Sequence, residues 1–294
     1  MTATGARRAE GGNLLGAGAM MAWAAGFPAA EALLDRWDPV WAVTARVAFA
    51  TAPLLVLWFL LQPREWRRPG LSRGLVTGGI GFGGGALTIL GAQWFTDPVT
   101  VAIIAASSPL TAVVVEWVAT RAPLTRPFAL GLALTLVGGL VATGGAFPAN
   151  LGIGAALALA SCFLFSWGSY RTIRDLPQHS ALGRATVTTL GAMITTGLTA
   201  AVTTTAGLTP WPADIRLPGD IGLLAIYGTG AMAISQFLWI AAVARMGVSM
   251  ASFHINIAPF YVMVLMLALG GGWSWPQAIG AAIVGLGVVV AQRP

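Results

Sequence analysis

Ten long apolar runs follow one another along this chain with only short, arginine-bearing connections between them. They fall near 13–33, 39–62, 71–95, 98–120, 126–146, 151–172, 180–206, 218–243, 248–270 and 275–291. A membrane-spanning helix needs about 20 predominantly apolar residues, so each run is a candidate span. The runs are continuous and do not alternate, which excludes the dyad pattern of a β-barrel. Charged residues make up 9% of the 294, against about 25% in an ordinary soluble domain. Too few polar groups are present to cover the outside of a water-soluble fold of this size. The expected class is an all-α integral membrane protein of ten transmembrane helices.

The arginines set the expected orientation. All 16 basic residues are Arg, and alternate connections collect them unequally. One side holds Arg7, Arg8, Arg64, Arg67, Arg68, Arg73, Arg121, Arg126, Arg171, Arg174, Arg184, Arg245 and Arg293, whereas the other holds Arg36 and Arg216, with Arg46 inside the second run. Cytoplasmic loops carry such an excess, so both termini are expected in the cytoplasm, with residues 1–12 as a tail. The basic balance therefore reports topology, and no nucleic-acid partner is expected. Arg7 and Arg8 ahead of an apolar stretch also resemble a signal peptide. That run, however, continues through Phe27 to Leu34, long enough to span, and removing it would spoil the charge distribution. The single cysteine, Cys162, lies in an apolar run and reads as a packing residue.

Comparison of the halves reveals a repeat. Pro127, Gly131 and Gly138 in the fifth run recur as Pro276, Gly280 and Gly287 in the tenth, at an offset of 149 residues. Pro109 in the fourth run matches Pro259 in the ninth at an offset of 150, and Gly16 and Gly18 match Gly152 and Gly154 at an offset of 136. The order of these pairings suggests a duplicated five-helix unit, 13–146 and 151–291. Because five is odd, the second unit must enter the membrane from the opposite side. Inverted repeats of this kind characterise alternating-access transporters, whose sites lie near interrupted helices in corresponding positions.

Pro109 and Pro259 mark those interruptions and are the candidate hinges. Around them lie Ser107, Ser108 and Thr111 on one helix and His254, Asn256 and Tyr261 on the other. His254 and Tyr261 share a helical face, while Asn256 is turned about 200° away, so one of the two polar residues is expected to bond a neighbouring helix. Aromatic stripes run along other spans: Trp23 with Phe27, Phe163 with Trp167 and Tyr170, and Met232 with Gln236 and Trp239, while Phe82 sits in the Gly-rich third run. Such walls suit a flat apolar solute, although each aromatic taken singly also fits packing or lipid contact. The candidate binding set is Trp23, Phe27, Phe82, Ser107, Trp167, Gln236, Trp239, His254 and Asn256.

Embedded charge is scarce. Glu31 and Arg46 are expected to pair with each other or with Arg36, Asp35 and Asp38, the alternative being that Arg46 recognises a carboxylate. Glu116 is expected to partner Arg121 or Arg126. No carboxylate lies at mid-depth, which argues against a carboxylate proton relay, and His254 is the titratable candidate there. Gly70-x-Ser72-x-Gly74 and Gly79-x-Gly81-x-x-Gly84 match soluble-enzyme patterns, but neither follows a strand. Gly74, Gly78, Gly81 and Gly85 read better as close-packing positions. An intramembrane enzyme would need an Asp pair, a Ser and His context or a metal cluster, and none is apparent. Neither a metal nor another cofactor is expected.

The ten runs, the Ser107-Ser108-Pro109-Leu110 turn with its counterpart Ala258-Pro259-Phe260, and the paired fifth and tenth runs resemble the drug/metabolite transporter superfamily, the EamA-like ten-helix type. Within it the chain resembles the bacterial YddG-type exporters of aromatic amino acids. The resemblance covers essentially the whole chain. It implies a basket of helices in the inner membrane, with a central cavity built by the first four spans of each half and the fifth and tenth at the periphery. It also implies a small-molecule substrate of aromatic or similar amphipathic kind; cationic drugs or sugar conjugates are the alternative. The chain is read as a monomer in the lipid bilayer.

Overall fold

The computed structural model describes residues 3–96, 98–144, 152–212 and 218–293. Arg216, the side chains of Arg7 and Arg8, and the boundary expected between residues 146 and 151 lie outside what is described. The described residues form helices and no strand. Seven helical segments are long and apolar enough to cross a membrane: Glu10–Leu34, Pro39–Leu61, Leu71–Ala92, Ile153–Asp175, Ala181–Thr205, Gly219–Met246 and Val248–Ala268. Ser108–Thr120, Arg126–Ala142 and Trp275–Ala291 are apolar but shorter. The chain is thus built as a multi-pass membrane protein.

Local sequence sets where the helices start. The first segment is α1 (Ala3–Ala24) followed by α2 (Phe27–Leu34), and the second is α3 (Pro39–Leu61). Proline stands in the first turn of α2 and α3, where its missing N–H costs nothing. Asp38 caps α3 by accepting from the Val40 N–H at 2.8 Å. The third segment comprises α4 (Leu71–Thr77), a π-helical turn at Gly78–Gly84 and α5 (Gly85–Ala92). Next come α6 (Pro98–Ala105), α7 (Ser108–Thr120) and α8 (Arg126–Ala142), the last capped by Thr125.

The second half begins with α9 (Ile153–Asp175) and α10 (Ala181–Thr205), which Ser180 caps. Then follow α11 (Gly219–Leu224), a π-helical turn at Ala225–Ala233 and α12 (Ile234–Met246). Gly247, at φ 83°, turns the chain into α13 (Val248–Ser252), a conformation that favours glycine. A 3₁₀ turn at Phe253–Ile257 leads into α14 (Ala258–Ala268), and α15 (Trp275–Ala291) closes the chain.

The fourth and ninth runs, expected to be interrupted at Pro109 and Pro259, both break just before the proline. Pro109 has no N–H for the carbonyl four residues earlier, and the Ser108 hydroxyl donates to that carbonyl, Ala105 O, at 2.5 Å. In the ninth run the corresponding carbonyl, Ile255 O, accepts from the Ala258 N–H in a tighter 3₁₀ bond. Lipid offers no water to freed backbone groups, so these local substitutes are required.

Packing contacts recur between the two parts of the chain. α8 and α15 cross antiparallel, Gly131 lying against Gly287 and Gly138 against Gly280. A Cβ added to Gly131 would sit 2.5 Å from Gly287 O, and one on Gly280 would sit 2.5 Å from Gly138 O. α3 and α10 also run antiparallel, joined where Thr44 and Thr51 donate to Thr196 O (3.1 Å) and Thr189 O (3.4 Å) and where Thr186 donates to Leu54 O (3.2 Å). The first π turn meets α10 at Thr188 and α9 at Gly168; the second meets α3 at Phe49 and Ala50 and, at Gly26, the turn that follows α1. The third run's glycines are therefore points of close approach.

A buried carboxylate anchors each end of the bundle. At one end Glu65 is buried and accepts from Trp58 Nε1 (3.0 Å), Arg68 (3.3 Å) and the Ser180 N–H (2.9 Å) and hydroxyl (3.0 Å). Arg68 also donates to Gln178 O, and Arg171 pairs with Asp175 at 2.8 Å. Asn13 and Gln292 exchange hydrogen bonds of 3.0 and 2.8 Å, which brings the beginning and the end of the chain together. At the opposite end Arg36 pairs with the buried Asp220 at 2.5 Å, and Trp37 Nε1 donates to the same carboxylate at 3.1 Å.

Candidate functional site

An aromatic cluster fills the middle of the bundle. Phe82, on the first π turn, meets Phe165 of α9 edge-on at 5.5 Å, and Phe165 meets Trp239 of α12 at 5.3 Å. Trp239 is 1% exposed and donates from Nε1 to Ser169 Oγ at 2.9 Å. Burying an indole with its N–H satisfied is the arrangement that costs least in an apolar interior. Phe165 and Ser169 were not among the expected residues. Phe163, Phe165, Trp167 and Tyr170 spread aromatics around α9, so periodicity alone did not single out its inner face. Phe163 is exposed, and Trp167 is half-buried.

Against this cluster lies a cavity of ≈ 270 Å³ between α1, α2, α3, α5 and the second π turn. Trp23, Val43, Val47 and Met232 line it and also belong to, or pack on, the core that contains Phe82 and Trp239. Its opposite lip is Leu34 and Pro39, at the Arg36 end of the bundle. Trp23 and Phe27 form one wall, their rings 4.8 Å apart and nearly perpendicular at 86°. Of the expected binding residues, this cavity brings together those two. It also contains Arg46, Gln93 and Tyr227.

Arg46 differs from expectation. The described ion pairs are Arg36–Asp220, Arg68–Glu65 and Arg171–Asp175, and Arg46 takes part in none of them. Glu31 and Asp35 are exposed. The Arg46 guanidinium lies over the Tyr227 ring, 4.3 Å from its centroid, with Nη1 3.5 Å from the Tyr227 hydroxyl. Its Nε is buried without a hydrogen-bond partner.

The remaining expected residues lie elsewhere. Ser107 is half-buried and donates to Ile104 O at 2.6 Å. His254 is 3% exposed, its Nδ1 is 3.2 Å from Ala251 O, and its ring faces Gly16 of α1. Asn256 turns to α8, where its Nδ2 donates to Thr135 O at 3.1 Å, while its Oδ1 has no partner. Gln236 is buried with an unpartnered Nε2. Pro109 and Pro259 stand in the first turns of α7 and α14. Glu116, expected beside Arg121 or Arg126, instead accepts from the Ser249 N–H at 2.9 Å, at the start of α13, where a helix end favours a carboxylate.

A larger groove of ≈ 530 Å³ opens at the Arg-rich end, lined among others by Glu116, Trp117, Phe128 and Arg245. It lies between α7, the start of α8 and the α12–α13 junction, and lacks the aromatic cluster. No group of three or more His, Cys, Asp or Glu placed to hold a metal occurs among the described residues.

Residues 10–144 match the EamA-like transporter family. Over 276 residues the chain is 24% identical to a protein of Bacillus subtilis (strain 168) named "Uncharacterized transporter YyaM", covering 90% of this chain and 88% of the relative. A solved structure titled only "Crystal structure of protein" superposes with a TM-score of 0.79 at 19% identity, covering 96% of each chain, and so shares the fold.

Proposed function

We propose that this chain is an EamA-type carrier that exports aromatic amino acids, or similar small amphipathic metabolites, across the bacterial inner membrane. Ten spans form two inverted halves, 13–146 and 151–291, with both termini cytoplasmic. The observation that carries this reading is the reciprocity of the packing. Exchanging Gly131 with Gly280 and Gly138 with Gly287 turns the α8·α15 contact into itself. The same exchange relates the π turn of the third run on α10 and α9 to that of the eighth on α3 and the turn that follows α1. A carrier built this way alternates by rocking one half against the other around a central site.

The cavity beside Trp23 and Phe27 is the solute chamber in its form open toward the Arg36 end, and the Phe82–Phe165–Trp239 cluster is its floor. Its ≈ 270 Å³ suits a small solute, because drug-sized sites run from about 300 to 1,000 Å³. The breaks before Pro109 and Pro259 let each half-helix swing while Ser108 and the 3₁₀ turn keep the freed carbonyls bonded. Rocking would open the floor and close the lip. Ser107, Trp167, Gln236 and His254 are proposed to meet the solute along the remainder of the path, while Asn256 stays bonded to Thr135 O of α8. The chain works as a monomer and without a cofactor.

Membrane vesicles loaded with labelled phenylalanine provide the test. Recovery of unmodified phenylalanine outside, faster than from vesicles lacking the protein, is the expected result. Recovery of a chemically altered product would identify an intramembrane enzyme, and no acceleration would remove the substrate assignment.

A further inference from the structure

The cavity is lined by a cation, Arg46, that makes no ion pair among the described residues. Arg46 lies seven residues into α3, about 10 Å below the helix start at 1.5 Å per residue. An arginine at such depth is costly unless it pairs, faces water or serves the pathway. Among the described residues, the carboxylates at this end are exposed or already engaged: Asp38 caps α3, Asp220 binds Arg36 and Trp37, and Glu31 and Asp35 are exposed. Tyr227 covers one face of the guanidinium. Stacking on the face leaves the N–H groups at the edge available, and that edge is a planar fork matched to a two-oxygen acceptor. The buried, unpartnered Nε is part of that fork.

We propose that Arg46, stacked on Tyr227, is the anion anchor of the cavity and that the solute it selects is a small apolar carboxylate. This rests on the carrier reading and sharpens it. The apolar walls made by Trp23, Phe27, Val43 and Ile89 receive the hydrocarbon part while the carboxylate lies on the Arg46 fork. Among the described residues, the cavity lining contains no carboxylate that would select an ammonium group. The site therefore reads the acid end of an amino acid and is indifferent to its amine. An aromatic acid without an amino group, such as 3-phenylpropanoate, fits as well as phenylalanine, and phenethylamine, which keeps the amine but lacks the acid, does not.

Equilibrium binding of labelled 3-phenylpropanoate, phenylalanine, phenethylamine and 4-methylpentanoate to the full chain in phosphatidylcholine vesicles tests this. The wild type is expected to bind the two aromatic acids at least tenfold more tightly than the amine. Arg46→Gln should weaken the acids by about ten- to a hundredfold, the range of a lost charge-assisted hydrogen bond. Arg46→Lys, which keeps the charge but not the fork, should fall between the two. Size-exclusion profiles identify a misfolded variant, and if the glutamine variant misfolds, the lysine series decides. Equal binding of acids by wild type and variants, preference for phenethylamine, or no acid bound by the wild type each overturns the anchor. Binding of 4-methylpentanoate without either aromatic acid would keep the anchor and retire the aromatic assignment. The same oxyanion chemistry could come from a lipid headgroup. Loss of acid binding in phosphatidylglycerol vesicles that depends on Arg46 would assign the site to lipid and overturn the solute proposal.

Discussion

The crossing of α8 and α15 should respond in opposite directions to the same substitution at two glycines five residues apart. At Gly280 an added methyl group would sit 2.5 Å from Gly138 O and 2.7 Å from both the Cβ and the N of Ala142. Two of those three neighbours are backbone atoms, which a rotamer change cannot move, so the helices must separate. Overpacking of this kind costs about 1–3 kcal/mol, against a gain of about 1 kcal/mol from the better helix propensity of alanine. Gly280→Ala should therefore lose up to about 2 kcal/mol. At Gly285 an added Cβ meets nothing within 4 Å, so Gly285→Ala keeps the gain, about 0.5–1 kcal/mol. A gap of about 2 kcal/mol corresponds to about 4–8 °C in apparent Tm for a chain of this order of size. Size-exclusion profiles of detergent-solubilised protein after stepped heating measure it. If Gly280→Ala is as heat-resistant as Gly285→Ala, the two helices do not meet as described, and the reciprocal contact loses its foundation.

Three further perturbations read other parts of the molecule. Trp239→Ala should destabilise by about 3–5 kcal/mol as a buried aromatic truncation. Trp239→Phe should lose about 1 kcal/mol with the Ser169 bond, and equal thermal stability of the two variants would contradict the buried aromatic cluster. Glu65→Gln should lower stability by about 1–3 kcal/mol, because Trp58, Arg68 and Ser180 share one buried carboxylate, and unchanged unfolding would show that the loops are not joined there. His179, in the connection before α10, is buried beside Glu65. Burial pushes its pKa below the ordinary imidazole range, as do nearby Arg68 and Arg184, whereas Glu65 pulls it upward. A lowered folded-state pKa means that the unfolded chain binds the proton more readily. The His179 contribution is thus complete above about pH 6.5 and falls away as the pH drops toward the lowered value. The apparent Tm should fall with acid more steeply in the wild type than in His179→Phe, and parallel profiles would refute this.

Much of the fold was legible because lipid imposes a simple rule on sequence. Apolar runs mark the helices, and Gly131, Gly138, Gly280 and Gly287, whose spacing was read only as the mark of a repeat, are where α8 and α15 meet closely. The π turns were not legible, since a one-residue change of register leaves composition and hydropathy untouched. Nor was the length of the break before Pro259, which depends on how the freed carbonyl finds a new donor. The site was read less fully for a geometric reason. Phe165 and Trp167 differ by two residues on one helix and so point to different faces, and only the neighbours supplied by Phe82 and Trp239 select between them. Asn256 was placed by its angle from His254, and the bond to Thr135 O assigns it to a neighbouring helix. Arg46 was weighted toward an ion pair because acids are close in sequence, whereas in space Asp38 and Asp220 serve other partners.

The central claim is saturable movement of a small amphipathic solute through the chamber beside Trp23 and Phe27. Initial uptake of labelled phenylalanine, tryptophan, threonine and glycine into proteoliposomes, with and without an imposed pH gradient, tests it most directly. Saturable uptake of phenylalanine and tryptophan well above threonine and glycine is expected, unaffected by the gradient because no carboxylate lines the chamber among the described residues. Uptake of none of the four, or equal uptake of glycine and tryptophan, would contradict it.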